Sequence, residues 1–185
     1  MNSLIQEYNK IFNGGKYLRN GKEITHNEYT AFDGGGTRTL ADKLVLEIQN
    51  AKSAITVLDY GCGLATHWHK QVWSNYTKSI LNILGEKVQG FYRYDPAYSL
   101  YAKKPTGVFD FVICADVLEH IPEAELATFF TELNTYVKKD SIIFYSVSTM
   151  PSRNSFLDGT NMHITIKSPR WWFDTIRANS CCKLS

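Results

Sequence analysis

Three short runs constrain this chain more than anything else in it: ITVLD (55–59), FDFVICAD (109–116) and SIIFYSVS (141–148). Each is apolar almost throughout and rich in β-branched or aromatic residues, the pattern of strands covered on both faces. VQGFYRYD (88–95) reads as a further strand of the same sheet. Helical periodicity fills the spaces between. Leu40, Leu44, Val45 and Ile48 share one helix face, with Thr39 and Asp42 spaced as a capping box. Pro122 opens an amphipathic helix whose apolar stripe is Leu126, Phe129, Phe130, Leu133 and Val137. A long helical stretch is expected from about Thr66 to Leu84, broken near Asn75 and stopped by Gly85, and a last helix from Ser168-Pro169 with Trp171 and Trp172. Strands alternating with helices imply an α/β fold: an open parallel sheet with helices on both faces.

Residues 1–36 differ in character, being polar and rich in glycine, with Asn20-Gly21 as a hairpin turn and AFDGGGTRT as a flexible joint. A length of 185 residues with 44% hydrophobic and 21% charged residues is ordinary globular composition and one domain's worth of chain. The formal net charge of +2 comes without any Lys/Arg block interleaved with aromatics, so no nucleic-acid partner is expected. The first residues, MNSLIQEYNK, do not read as a secretion leader, and no apolar run approaches the ~18 residues of a membrane span. Cys62, Cys114, Cys181 and Cys182 then read as free thiols in a reducing compartment, which makes the cytoplasm the expected location.

Sheets of this kind bind ligands at the carboxyl ends of their strands. The residues to weigh are therefore Asp59 to Gly63, Asp95, Asp116 to His120, and the segment after Ser148. In VLDYGCGLATHWH, Gly61 and Gly63 let the backbone pass close to a ligand. A dinucleotide turn wants a third glycine where Thr66 stands, and Asp59 directly before the turn repels a pyrophosphate while attracting a cation such as an ammonium group. A metal reading of Cys62, His67 and His69 lacks a matching second pair of ligands, so no metal is expected there.

LDYGCG resembles the first motif of class I S-adenosylmethionine-dependent methyltransferases, and FDFVICADVLEHIPE resembles their fourth-strand motif. The resemblance covers roughly residues 40 to 150, and LDGTNMHITIKSPRWW is similar to the stretch after the fifth strand in small methyltransferases of bacteria and phages. It implies a Rossmann-like sheet holding S-adenosyl-L-methionine, released as S-adenosyl-L-homocysteine after transfer to a small-molecule or sugar-like acceptor. The cofactor would be held by Asp59, Tyr60, Gly61, Cys62 and Gly63 at its aminoacid end. Asp95 would take the ribose hydroxyls, with Pro96 and Ala97 beside it, and Asp116 and Val117 would lie near the methionine portion. Residues 1–36 would then be an extension or lid, 37–150 the cofactor-binding core, and 151–185 the acceptor-side segment of a single domain. His120 and His163 are the candidate catalytic bases, and Trp171 and Trp172 form either an acceptor wall or the anchor of the last helix. A non-enzymatic cofactor-binding protein and a nicotinamide-dependent oxidoreductase are the alternatives.

Two spacings depart from the family pattern. Gly61 and Asp95 are 34 residues apart, longer than the ~20 of a dinucleotide unit. Only 13 residues lie between Asp95 and Phe109, where the family places a helix, a strand and another helix. A helical crossover alone takes a dozen or more residues. The sheet is therefore expected to lack the usual third strand, and to lack the last two because the sequence stops at CCKLS. The remaining strands would run second, first, third, fourth, with adenine against Ala97, Tyr98 or Tyr101. An edge is left for the N-terminal segment or a second copy in a homodimer to cover.

Overall fold

The expected alternation is realised in the computed structural model, which describes residues 2–27, 32, 37, 40–68, 82 and 85–184. Four strands form the body of a parallel sheet: β3 (Ile55–Tyr60), β4 (Val88–Tyr94), β5 (Phe109–Ala115) and β6 (Val137–Ser146). Their order is β4-β3-β5-β6, and a two-residue strand β8 (Lys183–Leu184) adds on beyond β6, also parallel. This is the second, first, third, fourth order that the spacing implies. The chain passes from β4 to β5 across β3 with only one 3-10 turn, Ser99–Tyr101, on the way. The family's usual third strand has no room there, and among the described residues β4 is an edge.

Side chains alternate across the sheet, and each face has its own helices. Ile55, Val57, Phe111 and Ile113 pack against Leu44, Val45 and Ile48 of α2 (Ala41–Asn50). Leu58, Tyr60, Val112 and Cys114 pack against Leu126, Phe129, Phe130 and Leu133 of α3 (Leu126–Asn134), and Trp172 and Ile176 of α4 (Pro169–Asn179) join them. Full burial of each such large apolar side chain contributes about 1.5–3 kcal/mol. Ser168 caps α4 by accepting from Trp171 N, as its Ser-Pro start implies.

Several boundaries differ from the sequence reading. Pro122 precedes a 3-10 turn, Glu123–Glu125, before α3 begins at Leu126. Val137, read as the end of the helical stripe, instead opens β6, because the chain turns at Thr135–Tyr136 and pairs with Phe109. In HITIK (163–167) the N–H groups of Ile164 and Thr165 donate to Glu119 O at 2.8 and 3.0 Å. Leu40 takes the N-cap position of α2, while Thr39 lies outside the described residues. Outside them too are the glycine run 34–36, His69, and most of the helix expected between Thr66 and Leu84. Of that stretch, Thr66–Trp68 is a 3-10 turn.

The N-terminal segment carries more structure than its polar composition suggests. Residues Asn2–Phe12 form α1, and β1 (Lys16–Arg19) and β2 (Lys22–Thr25) make the expected hairpin around Asn20-Gly21, with φ of 52° and 74°. β1 pairs on its other side with β7 (Asn154–Ser155), so the hairpin is tied to the segment that follows β6. Ile11, Tyr17, Phe156 and Met162 form the core of this second layer, with Leu4, Tyr8, Ile24 and Phe32 packed on it.

Candidate active site

The turn after β3 is built by hydrogen bonds to the end of β4. Gly61 and Cys62 N–H groups donate to Tyr94 O at 2.7 and 3.2 Å, and Gly63 N–H donates to Asp95 Oδ2 at 2.9 Å. Leu64 and Ala65 N–H groups donate to Phe32 O and Cys62 O. Five consecutive N–H groups are thus committed within the protein. Gly61 and Gly63 both have left-handed φ, 78° and 55°. A Cβ on Gly61 would stand 2.4 Å from Val117 Cγ2, and one on Gly63 would stand 2.3 Å from Phe32 O. The glycines are needed for this close packing of turn, Val117 and Phe32.

A cavity of about 430 Å³ opens at this end of the sheet, within the ~300–1,000 Å³ range of small-molecule sites. Gly61, Gly63, Asp95, Pro96, Ala97, Asp116, Val117, His120 and His163, all named from sequence, line it. Its lining includes Leu4, Ile5, Tyr8 and Phe12 of α1, Phe32, Ile121, Pro122, Ser152 and Asn154, which sequence reasoning missed. The signal for α1 was present, because Leu4, Ile5, Tyr8, Ile11 and Phe12 recur at helical spacing. Among the described residues, neither lysine nor arginine lines the cavity, whereas two carboxylates do.

Asp59, Tyr60 and Cys62 are not lining residues. Asp59 lies behind the turn, 2% exposed, and its Oδ2 accepts from Trp68 Nε1 at 2.6 Å. Burial raises its pKa to about 7, against the Trp68 hydrogen bond and with help from the nearby Asp95 charge. Tyr60 packs among Tyr94, Phe129 and Tyr136. Cys62 is buried against α2, and burial pushes its thiol pKa far up, so it is held as a neutral thiol. Tyr98 packs on Phe12 and Tyr101 lies under Arg93, neither lining the cavity. Trp172 is core and Trp171 packs on it, which makes the pair the anchor of α4.

Asp95 uses both carboxylate oxygens to brace its surroundings: Oδ2 accepts from Gly63 N and Oδ1 from Ala97 N, each at 2.9 Å. Burial raises its pKa while these N–H groups favour the charged form. The Tyr98 N–H acts in the same direction, and the carboxylate keeps lone-pair capacity for a ligand beyond these contacts. Asp116 has φ 54°, rare outside glycine but tolerated by Asp. Its N–H donates to Ser146 O, and its Oδ1 accepts from Ser146 Oγ at 2.9 Å.

His120, Glu119 and His163 come together at the short turn before α3, with His120 and His163 lining the cavity. His120 Nδ1 is 2.9 Å from Met162 O and 2.7 Å from Tyr8 Oη. A carbonyl only accepts, so Nδ1 carries the proton and Nε2 the lone pair. His163 Nδ1 sits 2.6 Å from Met150 O, which fixes the same tautomer. The two imidazole rings are perpendicular, with centroids 4.9 Å apart. Burial, aided by His163, lowers the His120 pKa to about 4, so it is a neutral imidazole at physiological pH. Glu119 is fully buried and its pKa is raised to about 7, chiefly by burial.

A parallel sheet with a glycine turn after its first strand and acidic residues after the next two is an arrangement in which open α/β sheets bind nucleotide-type ligands. The class is narrowed by charge, because the turn's N–H groups are spent and carboxylates face the cavity. The chain matches the family profile described as "Methyltransferase domain" over residues 32–185 and belongs to that family, of the class I S-adenosylmethionine-dependent kind. Its members use S-adenosyl-L-methionine as methyl donor. The match extends past residues 40–150, the span covered by the two motifs, to include the segment carrying His163. No curated protein matches the chain. Among the described residues, no helix is long and apolar enough to cross a membrane.

Proposed function

We propose that the chain methylates a hydroxyl oxygen of a small, sugar-like acceptor bound between α1 and the His120–His163 pair. The observation that carries the methyl-donor part of this reading is the cavity's chemistry: carboxylates, spent turn N–H groups and no lining lysine or arginine among the described residues. That donor set suits a sulfonium and an ammonium, and is poor for the pyrophosphate of a nicotinamide cofactor. When bound, S-adenosylmethionine supplies an electrophilic methyl group and leaves as the neutral thioether S-adenosylhomocysteine.

The chain's own residues supply placement and proton handling. Asp95 accepts two ribose hydroxyls through its remaining lone pairs, each charge-assisted bond contributing about 1.5–3 kcal/mol. Asp116 and the carbonyl groups of the glycine turn face the aminoacid end. Leu4, Ile5 and Phe12 of α1, acting as a lid, exclude water around the reacting atoms. The acceptor hydroxyl lies against the Nε2 atoms of His120 and His163, and the lone pair of one of these nitrogens takes its proton as the new carbon–oxygen bond forms in line with the breaking carbon–sulfur bond. Tyr8 is a positioning residue, holding the His120 ring through Nδ1.

The test is incubation with methyl-labelled donor and a panel of nucleotide sugars, polysaccharide fragments and small phenols. Label on a sugar hydroxyl is the expected result. Label on phenols alone would replace the acceptor class. No label on any compound, in protein shown to bind S-adenosylhomocysteine, would favour a cofactor-binding protein without transferase activity.

A further inference from the structure

The cluster at the acceptor end, one buried carboxylate and two half-buried histidines, has the makings of more than a general base. Glu119, His120 and His163 each present a ligand atom, and these atoms lie within 4.8 Å of one another. Both histidines have their Nδ1–H turned to a backbone carbonyl, Met162 O and Met150 O. That arrangement is the one that orients a metal-ligating imidazole and leaves Nε2 free to coordinate. Glu119 is fully buried; its Oε1 accepts from Ser148 N at 2.7 Å, but its Oε2 has no hydrogen-bond partner. A buried carboxylate oxygen without a partner is costly, and a cation is the ligand that relieves it.

The fold holds the three together. His120 follows Glu119 in the short turn Leu118–His120, and Glu119 O receives the N–H groups of Ile164 and Thr165, which draws His163 alongside. We propose that Glu119, His120 and His163 bind one first-row divalent cation through a carboxylate oxygen and two Nε2 atoms. Two imidazoles with one carboxylate suit zinc, cobalt, iron or manganese better than calcium or magnesium, which prefer all-oxygen shells. Ligands at about 2.1 Å from a shared ion sit roughly 3 Å from each other, so side-chain shifts on the order of 1–2 Å complete the site. Three protein ligands leave positions open to the cavity. With the ion bound, the two Nε2 atoms are ligands and no longer proton acceptors: in the reaction proposed above, the acceptor hydroxyl then binds an open position of the ion, becomes more acidic and loses its proton to water; this consequence rests on that reading, whereas the site itself does not.

The experiment is a cobalt(II) titration of chelator-treated protein, read by visible absorption and calorimetry without any methyl donor present. A Cys181→Ser, Cys182→Ser background removes the two thiols that are not buried. One cobalt per chain is expected, with zinc competing for it. His163→Ala, on a half-buried residue outside the sheet core, is expected to weaken binding by roughly 100-fold or more, as is Glu119→Gln. Asp95→Ala is expected to leave it unchanged. Absence of stoichiometric cobalt binding, or equal affinity in folded His163→Ala protein, would overturn the site. S-adenosylhomocysteine affinity, measured in the same samples, reports separately on the methyl-donor reading.

Discussion

Replacing Asp59 with asparagine tests how the turn is built and separates ionisation from hydrogen bonding. Asp59 is buried, and only its ionised form is penalised by that burial. In the unfolded chain an aspartate titrates near 3.9, whereas in the folded protein this one holds its proton to about pH 7. Between those values the native state binds more protons than the unfolded state, so stability falls as pH rises from about 4 to about 7. At 1.36 kcal/mol for each tenfold change in the ionisation constant, the loss due to this one group is about 4 kcal/mol, complete by pH 8. The asparagine side chain cannot ionise but keeps an oxygen that can accept from Trp68 Nε1. Urea unfolding of wild type and Asp59→Asn, followed by circular dichroism from pH 4 to pH 8.5, reads the effect. Other carboxylates largely cancel in the difference between the two proteins. The difference is expected near zero at pH 4 and to grow to about 4 kcal/mol in favour of the variant at pH 8. Parallel stability curves across that range would refute the buried, protonation-linked carboxyl.

Gly61→Ala combines a left-handed φ with a Cβ 2.4 Å from Val117 Cγ2. Thermal melting should drop by roughly 5–15 °C, and Val117→Ala in the same chain should recover part of it; no recovery would mean that φ strain alone is responsible. Tyr8→Phe removes the hydroxyl 2.7 Å from His120 Nδ1. Once an acceptor is known, turnover is expected to fall by up to about tenfold with S-adenosylhomocysteine affinity unchanged, as the hydroxyl's bonds to His120 Nδ1 and Met162 O are lost. An equal fall in both would assign Tyr8 to donor binding instead.

The sheet was legible because buried parallel strands leave near-continuous apolar runs, and β3, β5 and β6 each left one, with the less apolar β4 read beside them. The lost third strand was legible from chain length, since 13 residues cannot hold a helix, strand and helix. What sequence could not convey was the direction in which a side chain is used. Asp59 and Asp95 look alike as acidic residues at strand ends, yet Trp68 turns the first away and the second faces the cavity. Of the Glu119–His120–His163 cluster, both histidines were legible as candidate bases, but their meeting with Glu119 was not, for a different reason. Its two histidines lie 43 residues apart, and their meeting depends on Glu119 O receiving the Ile164 and Thr165 N–H groups, which no local pattern announces. The helix Asn2–Phe12 was overlooked because the glycine-rich remainder of the first 36 residues masked its apolar stripe.

The claim on which the rest depends is that the cavity beside Asp95 receives S-adenosylmethionine. Calorimetric titration with S-adenosylhomocysteine, for wild type and Asp95→Ala, tests it most directly. One ligand per chain is expected in wild type, weakened by roughly 10- to 100-fold in the variant, the equivalent of one charge-assisted interaction, with no heat from NADH in either. Absence of S-adenosylhomocysteine binding by folded wild-type protein, or equal affinity in the two proteins, would contradict the account.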